Sequence, residues 1–501
     1  MTSIIGIDLG TTYSSVATID ETGRPKIVHN SDGKNITPSC ILLNENDVLE
    51  VGEEARRSLG LTNKATGRFK RNMGTDIEYT LGEKKYSPTE LSSVVLKKLL
   101  QDAEKTLGEV SKAVVTIPAN FANEARDATM AAAKKAGLDV DFIINEPTAA
   151  ALYYIYQAKD EEFSGFYAVY DLGGGTFDIS IIDVNGKEID VIATNGVSKL
   201  GGDDFDKILI ELVNKKYKDL TGEELDKEDF TKTEAEEEKI SLSKREKIAI
   251  RVNKQLLEIS KEEFEEEVET LITQTEMLCE STMEDAKISV SDINGVFLVG
   301  GSTRIPKVKE SVKRIFNQDP ISNINVDEVV SLGAALYAAY KGDRKNLNEI
   351  QKKSVEKIKV TESTSKCFGT ISIGFNESRN AEELQNSIII KKGEKIPTKK
   401  TVPFQTYIDG QTEIKCSITE SINEEIDPDF VKVIWEGNLE LPPDRPAGQQ
   451  IDVTYEYDDN QIMKCSFLDV ASNKKTNIDL SMTNKNENSE SDSDIDQFLV
   501  E

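Results

Sequence analysis

The sequence predicts an α/β domain whose two halves face each other across a cleft, followed by an antiparallel β-sandwich. Three stretches carry that reading. The first is Asp171-Leu172-Gly173-Gly174-Gly175-Thr176-Phe177-Asp178, entered from the apolar run Phe166 to Tyr170 and left through Ile179 to Val184. That order makes a strand, a glycine turn and a returning strand. Three glycines leave bare backbone N–H groups that cradle phosphate. Thr176 adds a hydroxyl, and Asp171 and Asp178 add carboxylates able to orient a hydrated Mg²⁺. Taken alone, the segment also reads as a plain glycine-rich hairpin turn.

The second stretch repeats the first. Ile4 to Ile7, then Asp8-Leu9-Gly10-Thr11-Thr12, then Tyr13 to Ala17 is again strand, Asp-Leu-Gly, threonine, strand. Such a repeat points to an internal duplication. A related element, Val296 to Val299 followed by Gly300-Gly301-Ser302-Thr303-Arg304-Ile305-Pro306, precedes a helix-like segment. A helix N-terminus there suits an anion or the sugar-phosphate edge of a nucleotide. The third stretch is the alternating run from Val360 to Met482, seen in Gly369 to Phe375, Glu413 to Ile418, Gln450 to Tyr455 and Ile462 to Phe467. Regular short strands with turn signals make a sandwich.

Taken in order, strands and turns alternate over the first 60 residues, with Asn30, Gly33 and Thr37-Pro38-Ser39 as punctuation. Phe69-Lys70-Arg71-Asn72-Met73-Gly74 puts one Lys-Arg pair on a turn. Ser87-Pro88 opens a helix on which Leu91, Val94, Val95, Leu99 and Leu100 keep helical spacing. A strand from Ala113 ends at Pro118, and a helix from Asn123 stops at Gly137. Asn145-Glu146-Pro147 opens an alanine-rich helix, Leu200-Gly201-Gly202 another, and Val329 to Tyr340 is the last apolar helix.

The net charge of −29 argues against nucleic acid and anionic membranes, whose phosphates would repel the chain. No apolar run reaches membrane-spanning length. Five scattered cysteines, Cys40, Cys279, Cys367, Cys416 and Cys465, match no zinc or redox spacing and read as buried thiols in a reducing cytoplasm. His29 is the only histidine, which excludes a histidine-based triad or a histidine-rich metal site.

These residues together resemble the 70-kDa heat-shock chaperone family. The resemblance is carried by Ile7 to Thr12, Asn145 to Ala151, Asp171 to Asp178, Leu200 to Asp206 and Leu298 to Pro306, in that order. In the sandwich, Lys395-Ile396-Pro397-Thr398 and Leu441 to Pro446 followed by Ile451-Asp452-Val453 extend it. It implies an actin-like (duplicated ribonuclease-H-like) ATPase domain over 1–344, a polar linker over 345–360, a β-sandwich peptide-binding domain over 361–482 and a disordered acidic tail over 483–501.

The resemblance implies ATP or ADP, Mg²⁺ and K⁺ as cofactors. Asp8, Asp171 and Asp178 would hold the hydrated Mg²⁺ and flanking K⁺. Gly10, Thr11, Thr12, Tyr13, Gly173, Gly174, Gly175 and Thr176 would meet the phosphates, approached also by Gly201, Gly202 and Asp203. Glu236, Lys239 and Ser243 would take the adenosine, and Gly300, Gly301, Ser302, Arg304 and Asp327 the base and ribose side. Lys70, Glu146, Asp171 and Thr176 would be the catalytic set, Lys70 stabilising charge on the γ-phosphate and the attacking water. Pro118 and Arg126 match a switch that passes nucleotide state to the sandwich. Phe375, Phe404, Tyr407 and Ile414 match the peptide cleft, with ordinary sandwich core as the competing reading. The second arch position falls near Ser378.

The implied partners are extended apolar peptides or unfolded proteins, a J-domain co-chaperone and a nucleotide-exchange factor. Departures bear on these. Phe142 replaces an arginine that contacts J-domain proteins, the segment after Ser243 is short, the apolar linker is absent, and residues 483–501 are too polar for the family's helical lid. The resulting expectation is an ATP-hydrolysing chaperone that binds apolar peptides weakly. A regulatory protein that holds ATP without cycling and a small-molecule kinase of the same superfold are the alternatives.

Overall fold

A computed structural model describes residues 3–479 apart from 159–162, 227, 343–344, 346, 377–379 and 459–460. The chain divides into two compact units, the division falling between Val360 and Thr361.

The first unit is built on two sheets. One contains β1 (Ser3–Asp8), β2 (Tyr13–Ile19), β3 (Pro25–Val28), β4 (Val110–Ile117) and β5 (Val140–Asn145), in the order β5-β4-β1-β2-β3. β1 runs parallel to β4 and β4 to β5, while β2 is antiparallel to β1 and β3. The parallel pairs need long crossovers. Helix Pro88–Leu107, opened by a reciprocal Ser87–Glu90 capping box, supplies one, and helix Asn123–Lys135 the other. The second sheet contains β6 (Ser164–Leu172), β7 (Phe177–Asn185), β8 (Glu188–Val197) and β9 (Ile293–Val299), in the order β9-β6-β7-β8. β6 and β9 are parallel and the rest antiparallel.

Helices Glu146–Gln157 and Val329–Lys341 share one buried cluster with strands of both sheets. Their contact is backbone against backbone. A Cβ on Gly333 would stand 1.7 Å from the Ala149 carbonyl oxygen, so only glycine and the surrounding alanines allow the approach. This places the C-terminal ends of β1 and β6 opposite each other.

Two elements depart from the sequence expectation. Behind Gly300-Gly301 there is only a 3-10 turn, Gly301–Arg304, and the long helix starts at Pro306. Pro306 supplies the fixed φ that suits a helix start, and the preceding Ile305 is extended. Of the segment expected as a polar linker or a surface helix, Glu349–Val355 is a helix capped by Asn348, but Leu347, Val355 and Ile358 are buried in the first unit's core. Gln351 Nε2 donates to the Ile19 and Asp20 carbonyls at 3.1 Å, and Lys359 N–H donates to Lys187 O at 3.2 Å. These three buried apolar residues were hidden by the polar average around them.

Among the described residues the second unit has eight strands, β10 (Cys367–Asn376), β11 (Ala381–Ile390), β12 (Thr398–Gln405), β13 (Glu413–Ser421), β14 (Lys432–Glu440), β15 (Gln450–Tyr457), β16 (Met463–Asp469) and β17 (Lys474–Asp479). They form two antiparallel four-stranded sheets, β11-β10-β13-β14 and β12-β15-β16-β17. Phe368, Ile390 and Ile418 from one meet Tyr455, Met463 and Phe467 from the other in a shared core. The five cysteines are free and buried. Among the described residues no helix is long and apolar enough to cross a membrane. The tail from 483 lies outside the described residues.

Candidate functional site

The first tip leaves β1 at Asp8. Leu9 is buried in the core, and Gly10 is held by two serines: its N–H donates to Ser14 Oγ at 3.1 Å and its carbonyl accepts from Ser39 Oγ at 2.8 Å. Thr11 and Thr12 are thereby presented to the cleft. The second tip joins β6 to β7, with Asp171 opposite Asp178 and Leu172 opposite Phe177 in the ladder. Gly173 N–H donates to Thr176 O at 3.1 Å across the turn. A Cβ on Gly174 would fall 1.9 Å from Thr12 Oγ1, so glycine is what lets the tips meet. The Thr12 hydroxyl is buried with no hydrogen-bond partner among the described residues.

Below the tips lies the charge. Lys70 sits on the single 3-10 turn Phe69–Asn72 and is buried, its Nζ 2.5 Å from Glu146 Oε1 and 5.8 Å from the Phe121 ring centroid. Glu146 opens its helix, where the N-terminal dipole suits a carboxylate. Thr116 Oγ1 donates to Asp8 Oδ1 at 3.3 Å, and Asn120 N–H to Asp178 Oδ1 at 3.1 Å. Burial pushes the Asp8 carboxyl up to about 7 and that of Asp178 up to about 8, the charge of Glu146 adding in both cases. Asp171 is pushed well above the usual carboxylate range by burial, then by Glu146, Asp178 and Asp8. Four acids around one lysine leave a negative excess that a cation would relieve.

The tips roof a cavity of about 460 Å³. It is lined by Asp8, Gly10 to Tyr13, Lys70, Glu146, Asp171, Gly173, Gly174, Thr176, Gly202 and Asp203, and further out by Glu236, Lys239, Ser243, Gly300 to Ser302, Arg304 and Asp327. Three residues of the predicted set stand behind this wall. Gly201 supports the tip, since a Cβ there would lie 2.6 Å from Gly175 N. Gly175 packs on Thr11 and Arg71, and Asp178 is 1% exposed behind Asp171.

The sequence reading missed Asp206, Ile240 and Lys244 in the lining. The first two had a signal. Asp206 ends the Gly-Gly-Asp-Asp-Phe-Asp run and pairs with Lys239 Nζ at 2.6 Å, while Ile240 lies at i+4 from Glu236 on the same helix face. It also missed ion pairs across the cleft: Arg56 to Glu236 at 3.2 Å, Arg68 to Asp203, and Arg71 to Asp204 at 2.9 Å.

Arg126 donates through Nε to Phe121 O at 3.1 Å and through Nη2 to Ala119 O at 3.2 Å, fixing the loop after Pro118. Phe142 is partly buried, with Lys341 Nζ 5.6 Å from its ring centroid. In the second unit Phe404 and Ile414 pack partly buried against the core, whereas Phe375 and Tyr407 are exposed. Tyr407 OH donates to Glu382 Oε2 at 2.6 Å, and Glu382 is the ladder partner of Phe375. Ser378 lies outside the described residues.

Fold and site define a protein with a phosphate-ready cleft between two lobes and a separate β-sandwich unit. Residues 4–80 and 68–501 match the family described as Hsp70 protein. The chain is also similar to the protein named Chaperone protein DnaK of Thermotoga neapolitana, at 36% identity over 502 residues, covering 96% of this chain and 81% of that one. This chain belongs to the Hsp70 family: it is an ATP-dependent chaperone, with the family's actin-like ATPase followed by a β-sandwich.

Proposed function

We propose that ATP lies with its phosphates between the two tips and its adenosine against Glu236, Lys239, Ser243 and Arg304, and that Lys70 drives hydrolysis. The observation that carries this is the buried Lys70–Glu146 pair at 2.5 Å, facing the cavity beside Asp8 and Asp171. The residues fit the group. The unpartnered Thr12 hydroxyl and the bare Gly174 backbone suit phosphate oxygens, and the carboxylates give hard oxygen donors.

Among the described residues no three acidic, cysteine or histidine side chains converge tightly enough to ligate an ion directly. Asp8 and Asp171 would therefore hold Mg²⁺ largely through water, with Asp8 and Asp178 offering oxygens to flanking K⁺. Bound there, Mg²⁺ neutralises phosphate charge. Lys70 adds fixed positive charge where negative charge develops on the γ-phosphate and the attacking water, without reorganisation at the moment of reaction. Glu146 orients Lys70 and accepts a hydrogen bond from the attacking water. Thr176 orients the terminal phosphate.

The two sheets support reading the halves as ribonuclease-H-like copies: β4-β1-β2-β3 and β9-β6-β7-β8 share one parallel step followed by two antiparallel ones. The exposed Phe375 and Tyr407, with the partly buried Phe404 and Ile414, are the surface proposed for extended apolar segments. The loop held by Arg126 links Asp178 to Pro118 and would report the state of the cleft.

Replacing Lys70 by alanine should retain ATP binding and slow single-turnover hydrolysis by about 10²–10³-fold, the cost of losing one charge-stabilising donor. Equal rates in variant and parent would remove Lys70 from the chemistry.

A further inference from the structure

The turn that carries Lys70 is strapped to the opposite lobe. Phe69 is buried in the core of the first lobe, which fixes the turn from below. On either side of Lys70 an arginine reaches the other way. Arg68 Nε is hydrogen-bonded to Asp203 Oδ1, and Arg71 meets Asp204 Oδ2 at 2.9 Å and Asp203 Oδ2 at 3.6 Å. Asp203 is 3% exposed and bonded through its own N–H to the Gly174 carbonyl at 2.8 Å. One residue thus separates the Arg68 guanidinium from the tip of the second lobe.

The backbone of Arg68 is unusual. It takes φ 63°, ψ 15°, a left-handed conformation that residues with a side chain rarely adopt. In a chain free to choose, glycine would serve better there. The guanidinium pair explains what arginine adds in its place.

We propose that Arg68 is a positioning residue for ATP hydrolysis, its pair with Asp203 setting where Lys70 stands relative to phosphate held on the second tip. Lys70 Nζ is tied to Glu146. Without the Arg68 pair, the turn keeps its footing in the first lobe and is held to the second by Arg71 alone, a looser register. A displacement of about 1 Å at a reacting centre costs up to about 10²-fold in rate. The proposal rests on Lys70 acting in hydrolysis, as argued above.

The test compares Arg68→Gly, which removes the guanidinium but keeps the left-handed turn easy, with Arg68→Lys, which keeps charge without the fork. The full chain is used, with single-turnover hydrolysis, ATP affinity and melting temperature read together. The expected result for Arg68→Gly is hydrolysis slower by about 10-fold or more with ATP affinity retained, and partial recovery in Arg68→Lys. A parent-like rate in folded Arg68→Gly, or a loss confined to ATP affinity, overturns the proposal. Should Arg68→Gly fail to fold, Arg68→Lys decides: a reduced rate at parent affinity supports the strap, and the parent rate overturns it. Lys70→Ala separates the two readings. If it leaves the rate unchanged, the role of Lys70 has failed; if it slows hydrolysis while Arg68→Gly does not, only the strap has.

Discussion

The two tips that meet in the cleft begin alike and end as opposites. Each leaves a central strand through Asp-Leu-Gly, and in each the leucine, Leu9 or Leu172, is buried in its own lobe. Beyond that point the first tip offers two threonine hydroxyls at once, and the second offers three residues of bare backbone before Thr176. The shared glycine also differs in kind. A Cβ on Gly10 would collide with the Tyr13 carbonyl oxygen at 1.9 Å, whereas on Gly173 it would meet nothing closer than 3.7 Å. The tight constraint in the second tip has moved one residue on, to Gly174 against Thr12. Similar words in a repeated sequence therefore carry different physical duties, because Gly10 is constrained by Tyr13 of its own tip and Gly174 by Thr12 of the other.

That difference can be broken by alanine. Gly174→Ala forces overpacking between the tips, typically worth about 1–3 kcal/mol, so ATP affinity should fall by about 10–100-fold. Gly173→Ala should lower affinity less than Gly174→Ala, since its methyl meets no protein atom closer than 3.7 Å and can crowd only the phosphate itself. Calorimetric binding to both variants checks this, and the reverse ranking would show that the asymmetry is not real. A double variant with Thr12→Ala should recover part of the Gly174→Ala loss, because the clash is with Thr12 Oγ1.

A milder change sharpens the same contrast. A buried hydroxyl without a partner costs about 1–3 kcal/mol. Thr12→Val keeps the shape and removes that group. Without nucleotide the variant should melt at the parent temperature or above. With ATP it should bind about 3–10-fold more weakly, through loss of one hydrogen bond. A variant less stable than the parent without nucleotide would mean that the hydroxyl already has a partner in the cleft.

Much of this was legible because it is local. Strand, glycine turn and carboxylate lie within a dozen residues in Asp171 to Asp178, so pattern and geometry coincide. The capping box at Ser87 and the alternation of the sandwich read in the same way. What escaped was set by distant partners. Nothing near Arg68 in the sequence names Asp203, 135 residues away on the opposite lobe. Leu347, Val355 and Ile358 looked like isolated apolar residues in a polar stretch until the first unit's core gave them a place. In the sandwich, alternation made Phe375 and Phe404 equivalent, while the structure exposes one and partly buries the other. Phe375 lies beyond the Cys367–Gly369 stretch over which β10 pairs with β13, a limit of the ladder that pattern alone does not reveal.

The smallest expected effect concerns the carboxylates at the base of the two tips. Asp8 is held at about 7 and Asp178 at about 8, against a usual value of 3.8. Between the usual value and these raised ones the folded chain binds more protons than the unfolded chain, so stability falls as pH rises. The favourable contribution is complete below about pH 4 and gone above about pH 8. Asp20, Glu53 and Asp469 are held low instead, by hydrogen bonds or by neighbouring basic groups that outweigh burial. Their opposite slope ends by about pH 5, near the unfolded carboxylate range. From pH 5 to 8, without nucleotide or divalent ions, the melting temperature should therefore decline by at most about 2–4 °C for each kcal/mol lost. Asp8→Asn should flatten the lower part of that decline, and Asp178→Asn should extend the flattening toward pH 8. Mg·ATP should shrink the slope in the parent, because a nearby cation favours the ionised form. A melting temperature that rises steadily over the same interval would mean that both acids are ionised in the fold. The acidic floor would then be balanced by the protein alone, leaving no charge deficit for a cation to fill.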